Sequence, residues 1–164
     1  MPIKLRLSFR HLLSLTLVLI LIASCSTVSV GPGGQISKVK YHHLVPGQPV
    51  STTNPAIRME RDYHLFGAVT KAEILARGGH YYTVFWKADD RTQPVTVRFE
   101  FRQANTGLTA KAMETVVAEP RRSNLSKFQV TGDEYASNGR VTAWRVILVR
   151  GKEELASQES YLWN

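Results

Sequence analysis

Cys25 is the only cysteine in this chain of 164 residues, and its thiol is the most reactive group that the sequence offers. A thiol can act as a nucleophile, bind a metal, form a disulfide or carry a covalent modification. A disulfide within the chain would need a second cysteine. A buried structural cysteine is a further alternative, but the small residues Ala23 and Ser24 before Cys25 fit it badly. The role of this thiol therefore depends on the segment in which it lies.

The segment that precedes Cys25 has the composition of a secretory signal peptide. The first ten residues contain three basic side chains and no acidic one, and residues 12–23 are apolar except for one serine and one threonine. This apolar stretch is shorter than the roughly 20 residues that a membrane-spanning helix needs. An uncleaved anchor helix is the alternative, but its continuation over residues 24–30 would contain three serines and a threonine.

Ile22-Ala23-Ser24-Cys25 resembles the lipobox of bacterial lipoprotein precursors. The resemblance implies that a signal peptidase cuts before Cys25 and that its thiol and new amino group carry fatty-acyl chains. Two or more such chains hold a protein stably on a membrane, whereas one gives marginal affinity. Ser26 occupies the position where the enterobacterial retention signal has aspartate. By that analogy we expect a lipoprotein of the outer membrane that faces the periplasm.

Length and charge limit the partners of the mature chain. Cleavage before Cys25 removes 24 residues and leaves 140, enough for one domain, and lowers the net charge from +8 to +5. The pI near 9.9 would suit nucleic acid, but Arg121-Arg122 is the only basic run, and an exported lipoprotein rarely meets nucleic acid. We expect the membrane as a partner through acylated Cys25, and an envelope protein or anionic polymer as another.

Residues 25–59 contain many residues that oppose regular structure. They include Gly31-Pro32-Gly33-Gly34, Pro46-Gly47 and Asn54-Pro55, and few large apolar side chains. This composition predicts that the 34 residues after Cys25 form a flexible tether with a typical reach of roughly 30 Å. The predicted order is a signal peptide over residues 1–24, a lipidated tether over 25–59 and a folded domain over 60–164.

Short strands are predicted from residue 63 onward. Residues 95–102 alternate between apolar and polar side chains, the period of a strand with one buried and one solvated face. The predicted inward set is Val95, Val97, Phe99 and Phe101. Other runs of β-branched and aromatic residues, bounded by turn residues, predict further strands. These cover residues 63–69, 80–88, 112–118, 125–131, 140–150 and 153–163.

One short helix interrupts this pattern. Thr70-Lys71-Ala72-Glu73 has the spacing of a capping box, residues 74–77 tolerate a helix, and Gly78-Gly79 supplies its end. Seven strands in about 105 residues predict an all-β fold, an antiparallel sandwich, with a small β-barrel as the alternative. Strand count and spacing over residues 60–163 resemble those of immunoglobulin and fibronectin type III domains, although the Cys-Trp-Cys signature is absent.

The residues that could perform catalysis or bind a metal are not grouped along the sequence. His42 and His43 fall in the predicted tether, and neither His64 nor His80 has a partner at ligand spacing. Asp89 and Asp90, which follow the strand predicted over residues 80–88, suit a turn rather than a catalytic acid pair. No serine lies in a nucleophile motif, and no glycine loop has the strand and helix that phosphate binding requires. We therefore predict no catalytic residue, no metal site and no cofactor.

The polar face of residues 95–102 supplies the candidate binding residues. Arg98 and Arg102 point to the same side as Glu100, and in an immunoglobulin-like strand order Arg145 joins them in a basic patch. The alternative is an ordinary solvated face in which Glu100 neutralises part of the charge. Near the end of the chain, Trp163 is expected to close the sandwich rather than to anchor a partner.

These features favour a non-enzymatic, lipid-anchored envelope protein that acts as an interaction or assembly module. A module that binds envelope polysaccharide or peptidoglycan is the alternative. An exposed aromatic row in a concave groove would favour the polysaccharide, whereas a flat apolar patch at an edge strand would favour a protein partner. An enzyme would need histidine and acidic groups that converge in a pocket.

Substitution of Cys25 tests the lipid anchor. We expect Cys25→Ala to abolish palmitate incorporation and to leave an unprocessed precursor, because the variant lacks the thiol that the acyl chain would occupy. Metabolic labelling with radioactive palmitate followed by electrophoresis measures both effects. Labelling that persists in the variant would contradict the prediction.

Overall fold

Two four-stranded antiparallel sheets face each other in the computed structural model, which describes residues 28–45, 47 and 53–164. The strands are β1 (Ser29–Gly31), β2 (Gly34–Leu44), β3 (Gly79–Ala88), β4 (Val95–Gln103), β5 (Ala110–Val117), β6 (Asn124–Thr131), β7 (Val141–Arg150) and β8 (Glu153–Glu159). The first sheet has the order β1-β2-β3-β6 and the second the order β5-β4-β7-β8. The predicted all-β antiparallel sandwich is confirmed.

Three helices are found in the part of the chain that the structure describes: α1 (Pro55–Leu65), α2 (Lys71–Ala76) and α3 (Gly132–Asn138). α1 begins with a proline, and the Asn54 side chain accepts a hydrogen bond from the amide of Ala56 at 3.0 Å. α2 begins with the predicted capping box, in which Thr70 and Glu73 each accept from the other's amide, at 3.2 and 2.8 Å. None of the described helices is long and apolar enough to cross a bilayer.

The core lies between the sheets and consists mainly of aromatic and β-branched side chains. The predicted inward residues of β4 are all buried, and Phe99 is 0 % exposed. Its ring stacks on Phe128 of β6 with centroids 5.2 Å apart, which joins the two sheets. Further buried side chains of the core are Ile36, Tyr82, Val84, Trp86, Val130, Val146, Leu148 and Leu155.

β1 and β2 correct the prediction for residues 25–59. β2 lies between β1 and β3, so residues 29–44 belong to the sandwich and are not a flexible tether. The glycine-rich start of this segment serves close packing, because a Cβ on Gly31 would lie 2.2 Å from the carbonyl oxygen of Leu155 in β8. The predicted signal peptide and Cys25 lie outside the described residues.

Other predicted elements differ from the structure at three places. The strand predicted over residues 63–69 is wrong, because Pro55–Leu65 is helical and Gly67 follows with a φ of +81°. A short apolar run does not distinguish a strand from a helix by its period. Between the strands predicted over residues 125–131 and 140–150 the chain forms α3, and the last strand ends at Glu159 instead of residue 163. The remaining predicted strands are confirmed to within two residues at each end.

Phe99→Ala tests the face assignment of β4. Truncation of this buried ring should lower the free energy of unfolding by about 3–5 kcal/mol, because apolar contacts are lost and a cavity remains. Arg98→Ala, on the opposite face, is the matched control. It should cost no more than about 1 kcal/mol, since Glu100 keeps Arg145 as a partner. Urea unfolding near neutral pH measures both, and equal losses would argue against the assignment.

Candidate functional site

A groove of about 600 Å³ separates α1 from the outer face of the first sheet. Its roof is the side of α1 that carries Ile57, Glu60 and His64, and its floor is formed by β2, β3 and β6. Ligand sites in proteins are concave and largely apolar, with a few polar groups and volumes of about 300–1,000 Å³. The groove is therefore the strongest candidate site in the described part of the chain.

Strand pairing determines which side chains form the floor. His42 of β2 pairs with Tyr81 of β3, while Lys40 pairs with Thr83, which in turn pairs with Lys127 of β6. Alternate residues of a strand point to the same face of a sheet. These five side chains therefore share the outer face, whereas their immediate neighbours on β3 are buried in the core.

Four rings form an aromatic cluster around His64 in the groove. His64 stacks on Tyr81 with ring centroids 3.8 Å apart and planes inclined by 29°. His42 stacks on His64 at 4.9 Å and 18°, and the ring of Tyr63 meets His64 edge to face at 5.2 Å. Offset and edge-to-face contacts are the favourable arrangements of aromatic rings. The cluster attaches α1 to the sheet, and its four residues line the groove.

α1 is held mainly at its C-terminal end. Arg77 Nη1 donates hydrogen bonds to the carbonyl oxygens of His64 at 3.2 Å and Phe66 at 2.6 Å. These oxygens lie at the end of the helix, where no further helical amide can donate to them. Lys127 Nζ donates to the Tyr63 hydroxyl at 3.0 Å. None of the 11 residues of α1 is buried, and its first turn is exposed. The groove is therefore open at the N-terminal end of the helix.

The groove contains two neutral histidines and two cations. Burial lowers the pKa of His42, and it lowers the pKa of His64 together with the adjacent His42. Glu60 opposes both shifts and lies 3.6 Å from Nε2 of His64. At neutral pH the positive charges at the groove are therefore those of Lys40 and Lys127.

The histidines lie together, contrary to the prediction. His42 and His43 are on β2 rather than in a tether, and His64 and His80 each stack on one of them. Stacked imidazoles hold their in-plane nitrogen lone pairs side by side instead of directing them to one point. Among the described residues, no three or more histidine, cysteine or acidic side chains are grouped so that they could hold a metal.

His43 and His80 form a second stacked pair on the inner face of the first sheet, with centroids 4.1 Å apart. Nε2 of His43 lies 2.9 Å from the hydroxyl of Tyr135 in α3. The amide of Val141 donates to Nε2 of His80 at 3.3 Å, so this nitrogen is unprotonated. Burial, with smaller contributions from His43 and Arg140, lowers the pKa of His80 to about 4. This pair packs the end of the sandwich.

Arg98, Arg102 and Arg145, the candidate binding residues, share the outer face of the second sheet. Glu100 accepts hydrogen bonds from Arg98 Nε at 2.8 Å and Arg145 Nη2 at 2.7 Å, and these bonds hold its pKa below the ordinary value although burial opposes the shift. Arg102 donates to the carbonyl oxygen of Trp163 at 2.7 Å and lies 4.3 Å from the centre of its indole ring. Each arginine thus has a partner within the chain.

Trp163 is buried, but not between the sheets. It lies on the outer face of the second sheet, against Arg102 and Arg145. The two preceding residues, Tyr161 and Leu162, are exposed. The expectation that Trp163 closes the sandwich is therefore wrong. Its indole instead covers Arg102 and Arg145 on the outer face of the second sheet.

Sequence reasoning misses the groove because it assigns α1 to a strand and β2 to a tether. One overlooked signal is Asn54-Pro55, a combination that favours the start of a helix. A second is the alternation within residues 80–88, which sets Tyr81 and Thr83 on one face. No local signal shows that His42 lies beside Tyr81.

Comparison with known proteins does not indicate a function, so the function has to be inferred from the geometry of the groove. No protein-family model, curated protein or solved structure matches the chain.

Acid pH should destabilise the protein through His80. The pKa of its side chain is about 4 in the folded chain and 6.5 in the unfolded chain, so folding favours the neutral ring. This contribution is fully present above pH 6.5, falls as the pH drops towards 4 and is lost below that value. It amounts to roughly 3 kcal/mol.

His80→Gln removes this titration and keeps an acceptor for the amide of Val141. We expect its free energy of unfolding to change less between neutral pH and about pH 4 than that of the natural chain, as measured by urea titration at each pH. An unchanged pH dependence in the variant would show that other groups cause the loss.

Proposed function

We propose that the chain is a lipid-anchored, non-enzymatic interaction module of the bacterial outer membrane, held by acylated Cys25 and binding its partner in the groove beneath α1. The groove is the observation that supports the proposal. It combines about 600 Å³ of space, a cluster of four rings and two lysines at one surface of the sandwich. Such side chains bind ligands by stacking, apolar contact and charge-assisted hydrogen bonds.

The environment of His64 supports binding rather than catalysis. Its Nε2 is buried, and the 3.6 Å to Glu60 on the same helix is too long for a hydrogen bond. Tyr81 and His42 both stack against its ring. A general base needs a nitrogen that can reach the substrate. The His64 ring therefore serves to attach α1 to the sheet through Tyr81.

An envelope glycan such as peptidoglycan is the second candidate partner. The aromatic cluster lies in a concave groove and not on a flat apolar patch at an edge strand, which favours a polysaccharide over a protein partner. The apolar faces of sugar rings can pack on such aromatic surfaces. Lys40 and Lys127 on the floor supply cations for the carboxylates of an acidic glycan.

Photocrosslinking from the groove in growing cells tests both candidates. Ile57 lines the groove and is half-exposed, so p-benzoylphenylalanine at this position should be tolerated and should contact the partner. Leu108, exposed in the turn between β4 and β5, is the matched control outside the groove. We expect adducts from position 57 and none from position 108.

The form of the adduct identifies the partner. A discrete band indicates a protein, whereas a heterogeneous adduct of high mass that collapses on muramidase digestion indicates peptidoglycan. Tyr81→Ala should reduce adducts from position 57 by roughly tenfold, equivalent to about 1.4 kcal/mol of lost ring contact. Equal adducts from positions 57 and 108, or none from either, would overturn the assignment of the groove.

A further inference from the structure

We infer that the part of the first sheet's outer face that α1 leaves uncovered lies against an anionic bilayer surface. This docking face consists of Val30, Lys38, Lys87 and Leu125, all of which are exposed and none of which lines the groove. The inference rests on the lipid anchor proposed above, because it concerns how the anchored domain sits on its own membrane.

Chain length brings the docking face to the membrane. Ser29, the first residue of β1, is only four residues after Cys25, so their Cα atoms are at most about 14 Å apart. A tether with a reach of roughly 30 Å, as the sequence predicts, would instead let the domain stand away from the bilayer. An acylated Cys25 therefore keeps β1 close to the lipid headgroups.

The docking face adjoins the anchored strand. Val30 belongs to β1 and pairs with Gln35 of β2, which pairs with Lys87 of β3. Neighbouring strands lie about 4.8 Å apart, so the Cα atoms of Val30 and Lys87 are about 10 Å apart. Lys38 lies on β2 between these two strands. Both lysines therefore lie within two strands of β1, the strand that follows Cys25 in the chain.

Charge favours this face over the opposite one. The four strands of the first sheet contain no aspartate or glutamate, and their lysines are Lys38, Lys40, Lys87 and Lys127. On the second sheet, Arg98, Arg102 and Arg145 share the outer face with Glu100, Glu114 and Glu159. An anionic bilayer attracts nearby lysines, whereas a balanced face gains little from it.

The loops beside the docking face do not change this balance. The loop after β3 contains Asp89, Asp90 and Arg91, and the loop before β6 contains Glu119, Arg121 and Arg122. Three cations and three acids offset one another. The net attraction therefore comes from the lysines on the strands.

Exposed apolar residues, and the short link between Cys25 and β1, allow a weak electrostatic attraction to hold the docking face on the bilayer. Val30 is 74 % and Leu125 49 % exposed, and such side chains are stabilised at the boundary of headgroups and acyl chains. The link to Cys25 makes docking intramolecular, with an effective concentration in the millimolar range. Because charges at a surface are screened over about 8 Å at physiological salt, docking should weaken as salt is added.

Lysine acetylation of the anchored protein measures the docking. The full acylated chain is reconstituted into vesicles of phosphatidylcholine, with or without phosphatidylglycerol, pulsed with N-hydroxysuccinimidyl acetate and analysed by mass spectrometry. We expect Lys38 and Lys87 to react about fivefold more slowly on the anionic vesicles, and high salt to reverse this effect. Lys71 of α2 and Lys152 of the β7–β8 turn are exposed controls that should react equally on both.

Charge reversal supplies a readout that does not depend on lysine reactivity. p-Benzoylphenylalanine at Val30 should crosslink to lipid on anionic vesicles. Lys38→Glu combined with Lys87→Glu should lower these adducts at least about tenfold. Lys71→Glu combined with Lys152→Glu changes the net charge equally and should leave them unaltered. All four lysines are exposed, so both double variants should fold.

Failure of the anchor and failure of the docking give different results. Protein that does not float with the vesicles lacks the acyl anchor, which overturns both proposals. Protein that floats, but in which Lys38 and Lys87 react as fast as Lys152, keeps its anchor and overturns the docking alone. Protection of these lysines in cells but not on vesicles would assign the face to a protein or glycan and reject the bilayer as its occupant.

Discussion

The antiparallel pairing of β2 with β3 is the interaction on which the rest of the structure depends. It extends along the whole of β2 and places this strand in the interior of the first sheet. Because side chains alternate between faces, His42 and Tyr81 point outward beneath α1, while His43 and His80 point inward. If the register of β2 against β3 shifted by one residue, the side chains of β2 would change faces. His42 would then leave the aromatic cluster, and part of the core would be exposed.

The groove follows from the way in which α1 is attached. A helix of 11 residues is marginally stable alone, so contacts with the sheet must stabilise it. The contacts with the sheet are concentrated at its C-terminal end, where His64 stacks on Tyr81. Arg77, which follows α2, also binds the last carbonyl oxygens of the helix. The other end stands clear of the sheet and leaves the space beneath it open. A bound partner would contact helix and sheet together and so add to the attachment.

Charge is distributed differently on the two outer faces. On the second sheet, arginines and glutamates pair with one another and Trp163 covers part of the network, so the surface is largely satisfied within the chain. On the first sheet the lysines face no acidic residue of their own strands. β1, the exposed lysines and the groove therefore lie on the same sheet of the molecule. If the proposed lipid anchor holds β1 at a membrane, a partner in the groove is held beside that membrane.

Features that depend on neighbours a few residues apart were determined by the sequence alone. The alternation of residues 95–102 placed Phe99 in the core, and the spacing of Thr70 and Glu73 gave the cap of α2. The tertiary structure decided the rest. Gly31 suggested flexibility until Leu155 of a distant strand left no room for a Cβ. The groove joins strands and a helix remote in sequence, and such long-range contacts leave no periodic trace in a single chain.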